Sequence, residues 1–128
     1  MQVKTTEGVR ISVEVFYQPG HSQPISGEYM FAYRINISNL GEHSVRLLRR
    51  HWHIMDASGI CHEVEGEGVV GQQPVIEPGA SYQYVSGSNL KTEIGKMFGT
   101  YLMERINDKH RFFVSIPEFK LIAPYKLN

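Results

Sequence analysis

Val9-Arg10-Ile11-Ser12-Val13-Glu14-Val15 places an apolar side chain at every odd position and a polar one at every even position. A strand with one buried and one wet face shows this two-residue rhythm, whereas a helix repeats at 3.6. Tyr29, Phe31, Tyr33, Ile35 and Ile37 repeat the pattern. The run from Ser44 to Asp56 continues it, with Leu48, Trp52 and Ile54 on one face and Leu47, Arg49, His51, His53 and Met55 on the other. Trp52 is the expected core anchor. Burying a side chain of its size contributes about 3 kcal/mol or more, so truncation to alanine is expected to cost heavily.

Further strands are expected at about 59–65, 75–76, 81–86, 99–106 and 111–116. Turn signals punctuate them at Gln18-Pro19-Gly20, Asn39-Leu40-Gly41, Ala57-Ser58-Gly59, Glu77-Pro78-Gly79 and Asn107-Asp108-Lys109. Glycine accepts positive φ, proline presets φ near −65°, and Asn or Asp bonds its own backbone, so the chain reverses there at little cost. Seven or eight short strands at this spacing, with no helix-length amphipathic stretch, predict an all-β immunoglobulin- or fibronectin type III-like sandwich, with a barrel as the alternative.

No repeat or linker-like tract interrupts the 128 residues, which are read as one domain, 1–128. Lone Cys61 has no internal partner, which together with the absence of a signal-like N-terminus or a membrane-spanning apolar run points to the cytoplasm. Thirteen Lys and Arg balance thirteen Asp and Glu, so no net field favours nucleic acid or an anionic membrane. Arg46, Arg49 and Arg50 form the best local basic patch and are read as a solvated face.

Gly66-Glu67-Gly68-Val69-Val70-Gly71 has the G-x-G-x-x-G spacing that elsewhere cradles a pyrophosphate at a helix N-terminus. Here Pro74 and Pro78-Gly79 follow, so no helix is expected, and the glycines read better as a bent connection between strands. A backbone nest remains an alternative anion site, with Lys91 or Lys96 as the cation and Glu65 and Glu67 opposing it.

His51 and His53 lie two apart on a strand and project from one face, as metal ligands would, but no third ligand is recognisable; they are weak candidates only. Adjacent His62 points away from Cys61, so an activated thiolate is not expected, and Cys61 is read as a small buried hydrophobe. No serine occupies a nucleophile elbow. Tyr82 and Tyr84 share a face with Tyr101 on a later strand, either as core pairs or as a partner-binding surface.

The stretch from Arg50-His51-Trp52 to Ile116-Pro117-Glu118-Phe119 closely resembles the ApaG family. The resemblance runs through 63–74 (EVEGEGVVGQQP), Pro78-Gly79, Tyr82-Gln83-Tyr84, Ser86-Gly87, Leu90-Lys91-Thr92, Gly95-Lys96-Met97 and Gly99-Thr100-Tyr101. It implies a fibronectin type III-like sandwich. It also implies associations with diadenosine tetraphosphate hydrolysis and with cobalt and magnesium handling, neither of which defines a reaction. Similar domains appended to F-box proteins and to a polymerase-interacting protein imply a module that contacts other proteins. The pyrophosphate proposal made for the family's glycine motif maps onto Gly66, Gly68 and Gly71, whereas His53 departs from an often apolar family position. The resulting expectation is a non-catalytic interaction module without a cofactor, binding a protein or a second copy of itself. Nucleotide or polyphosphate binding at Gly66–Gly71 and divalent-metal homeostasis are the alternatives.

Overall fold

The computed structural model describes residues 1–124. Among them are nine strands: β1 (Gln2–Thr6), β2 (Val9–Tyr17), β3 (Tyr29–Asn39), β4 (Val45–Asp56), β5 (Cys61–Glu67), β6 (Val75–Ile76), β7 (Ser81–Leu90), β8 (Ile94–Arg105) and β9 (Arg111–Ile122). They form two antiparallel sheets, ordered β1-β2-β3-β7 and β5-β4-β8-β9, with β6 paired to the start of β4. Strands β2-β3-β7 and β5-β4-β8-β9 correspond to the A-B-E and C′-C-F-G sheets of immunoglobulin-type sandwiches. Two short 3-10 turns lie between β2 and β3, where the Ser22 hydroxyl donates to the Gln18 carbonyl at 2.7 Å and accepts the Met30 amide at 2.9 Å. No helix among the described residues is long and apolar enough to cross a membrane.

The predicted alternation places the core. Val9, Ile11 and Val13 of β2 and Tyr29 through Ile37 of β3 are buried at every second position. They meet Trp52, Tyr101, Val114 and Phe119 from the facing sheet. Trp52 is 3% exposed, with ring centroids 5.5 Å from Tyr33, 5.8 Å from Phe119 and 6.4 Å from Tyr101. Edge-on and tilted rings at these distances attract beyond their area alone.

Two expectations are corrected here, and one strand is added. The two faces expected for the third strand are wrong at its start, because a register shift between Leu47 and Arg49 reverses the parity of β4. Val45 and Leu47 therefore point inward before the bulge, and Arg50, Trp52 and Ile54 share the inner side after it. Cys61 is exposed rather than buried, since it opens β5, an edge strand with six of its seven residues exposed. Strand β1 has no counterpart among the expected strands: Gln2-Val3-Lys4-Thr5-Thr6 is nearly all polar, pairs with β2, and accepts the Ser115 amide of β9 on the Thr6 hydroxyl.

Candidate functional site

The glycine motif closes the outer end of β5. Val69 and Gln72 exchange two backbone hydrogen bonds, 2.8 and 2.9 Å, around Val70 and Gly71, whose φ values are +42° and +79°. A two-residue hairpin with both central residues at positive φ is a type I′ turn. Gly68, at φ +61°, lies so close to the Gln72 carbonyl that a Cβ would stand 2.1 Å from its oxygen. At Gly66 a Cβ would stand 2.8 Å from the Arg50 guanidinium. Each glycine thus has a conformational reason within the loop. After Gly71 the chain runs through Pro74 into β6, with no helix to aim amides at a phosphate.

Beneath this hairpin the two sheets part into a cleft of about 240 Å³. Tyr33, Tyr84 and Ser86 line one wall, Trp52, Ile54 and Val64 the other, and Val69 and Val70 close one end. Arg50, expected on a solvated face, enters it because the β4 bulge turns it inward. Its Nη1 donates to the Glu67 and Gly68 carbonyls, both at 3.0 Å. Lys91 and Lys96 do not line this cleft. Lys96 pairs with Glu118 at 3.4 Å and lies over the Phe98 ring.

Of the three tyrosines read either as core pairs or as a partner-binding surface, Tyr101 is fully buried and Tyr84 is 7% exposed, so both are core residues; Tyr82 is half-buried. The reason is their length and place. Tyr84 on β7 and Tyr101 on β8 reach across the interior until their hydroxyls hydrogen-bond to each other, joining the two sheets. Burial pushes the ionisation of both phenols upward, and that of Tyr33 as well, against the lowering influence of Arg50.

On the outer face of the other sheet, β4 pairs with β5 so that Glu63 lies opposite His53 and Glu65 opposite His51. Glu63 Oε1 is 2.9 Å from His51 Nε2 and 3.6 Å from His53 Nδ1, and Glu65 Oε1 is 3.0 Å from His51 Nδ1. The His53 ring stacks on Phe98, at 4.9 Å and 7°. Glu63 is the third donor group that the β4 sequence by itself does not supply. The hairpin turn would have revealed it, because residues equidistant from Ser58 face each other.

The architecture defines an all-β immunoglobulin-type sandwich carrying a glycine hairpin over an arginine-containing cleft. The ApaG domain model matches residues 19–105. Protein ApaG of Paramagnetospirillum magneticum is 45% identical over 126 residues, 98% of this chain and 96% of that protein. Protein ApaG of Azoarcus sp. is 46% identical over 125 residues, 96% of this chain and 98% of that protein. The crystal structure of the putative ApaA protein from Bordetella pertussis, 43% identical, superposes with a TM-score of 0.88 over 91% of this chain and 94% of that one. The C-terminal domain of Wzt shares the fold alone, with a TM-score of 0.55 at 8% identity over 95% of this chain and 77% of that one. The chain belongs to the ApaG family.

Proposed function

We propose that this chain is a non-catalytic protein-interaction module of the cytoplasm, and that its docking element is the free edge of β7. The observation carrying this reading is a contrast among the four sheet edges. Strand β1 is short and bears Lys4, β5 carries Glu63, Glu65 and Glu67, and β9 carries Arg111, Pro117, Glu118 and Lys120. Charges, proline and short length are the devices that stop a sheet edge from recruiting another strand. Strand β7 has none of them. Its ten residues, Ser81 to Leu90, contain no charge and no proline, and among the described residues it pairs with β3 only. Val85 is 57% exposed on its outer face.

The occupant is an uncharged extended segment of a protein partner, added as a fifth strand beside β7 with the Arg50 cleft next to it. Val85→Glu tests this while keeping the sheet intact, because residue 85 faces Arg34 on β3. Affinity capture is expected to lose its partner with Val85→Glu and to keep it with Val75→Glu on β6. Light scattering of the purified chain separates pairing with a second copy from pairing with another protein. Identical captured proteins for both variants and wild type would remove β7 as the docking edge.

Arg50 favours a second reading, a small anion in the cleft, since the partners of its guanidinium are carbonyl oxygens rather than a carboxylate. Calorimetric titration with pyrophosphate, comparing wild type with Arg50→Met, tests it; equal heats would leave Arg50 without that role.

A further inference from the structure

We infer that His51, His53 and Glu63 form a binding site for a zinc-like divalent transition metal on the outer face of β4 and β5. This inference is independent of the docking role of β7. One ligand atom from each residue lies within 4.8 Å of the other two. In a tetrahedral site with bonds of about 2.1 Å, ligand atoms stand about 3.4 Å apart. The two contacts of Glu63 Oε1, 2.9 Å to His51 Nε2 and 3.6 Å to His53 Nδ1, fall on either side of that spacing.

Two imidazole nitrogens face one carboxylate oxygen, and only the His51 Nε2 pair, at 2.9 Å, is within hydrogen-bonding distance. At 3.6 Å the His53 contact is too long for a hydrogen bond. A cation between the three atoms engages all of them at once.

The surroundings are those of a prepared ligand set. Glu65 Oε1 stands 3.0 Å from His51 Nδ1, so that with Nε2 on the ion in place of its present 2.9 Å contact to Glu63 the remaining ring proton faces a carboxylate, the usual carboxylate-histidine-metal arrangement. Stacking on Phe98 fixes the plane of the His53 ring. Of the neighbouring cations, Arg49 faces Glu67 across the strands and Lys96 is paired with Glu118. Glu63 and Glu65 therefore give the site a negative field. Two imidazoles with one carboxylate suit zinc, nickel or copper rather than magnesium, and the fourth position faces solvent.

Calorimetric titration of the whole chain with Zn²⁺ in a non-coordinating buffer tests the site. Wild type is expected to bind one ion, with His53→Ala and Glu63→Gln each weakening it at least about tenfold. His62→Ala, on β5 facing away from the cluster, is expected to bind as wild type, and Mg²⁺ to give no heat. Long-range ¹H–¹⁵N spectra of the histidine rings are expected to shift at His51 Nε2 and His53 Nδ1 and not at His110. All these side chains are partly or wholly exposed, so matching thermal unfolding of the metal-free variants will show that the fold is retained. Undiminished zinc affinity in both His53→Ala and Glu63→Gln, or loss of binding in His62→Ala instead, would overturn the assignment, as would absence of zinc heat in wild type.

Discussion

Tyr84 and Tyr101 show how much one hydroxyl can carry when it has a single partner in the interior. Replacing Tyr84 with Phe keeps the ring but strands the Tyr101 hydroxyl, fully buried, without its neighbour. An orphaned buried polar group costs about 1–3 kcal/mol. Urea unfolding of Tyr84→Phe is expected to show a loss in that range, and the Tyr84→Phe/Tyr101→Phe double variant a smaller loss than the two single losses added, because it removes donor and acceptor together. The sequence placed both tyrosines on strands with correct alternation, yet alternation says only that side chains share a face. Which face the second sheet covers depends on pairing across distant parts of the chain, and that pairing decides for core pairs over a surface at Tyr84 and Tyr101. Arg50 failed for a related reason: an extra residue in β4 changes which side of the sheet every later side chain occupies.

Among the elements, the glycine hairpin has the clearest local mismatch. Val70 holds φ at +42° although a β-branched side chain clashes with the backbone in that region. Type I′ turns prefer Asn-Gly at the two central positions, and Gly71 already satisfies the second. Val70→Asn is therefore expected to stabilise the chain by about 1 kcal/mol, read as a higher urea midpoint with unchanged slope. The sequence reading of this segment as a bend between strands rested on Pro74 and Pro78-Gly79, and the structure agrees that no helix follows. The β4-β5 hairpin carries a further constraint in its sequence. Its turn residues fix the register, and the register fixes which glutamates oppose the two histidines. Strand β1 lay beyond reach, since its polar residues show no alternation and only its pairing with β2 and its contact with β9 reveal it as a strand.

At the scale of the whole molecule, the alternating rhythm was enough to specify half-buried sheets, and the choice of a sandwich over a barrel lay in which strands pair. Among the tyrosines buried between the two sheets, Tyr33, Tyr84 and Tyr101 have their ionisation pushed by burial above the ordinary value of 10. Unfolding returns each to that value, so above pH 10 the unfolded chain sheds protons that the folded chain retains. The stabilisation is complete below about pH 10 and declines as pH climbs toward the folded-state values, each tyrosine contributing at most about 1.4 kcal/mol per pH unit. Urea midpoints measured from pH 8 to 11 are expected to fall steeply at the alkaline end, and less steeply in the double phenylalanine variant.

An unguarded β7 also bears on how the chain is handled in the cell and at the bench. A strand that nothing repels does not discriminate among stretches of extended polypeptide. Overproduced alone, the chain presents ten residues ready to seed misassembly, and under the docking role proposed for β7 co-production with the strand-donating protein is expected to raise the yield of dispersed material.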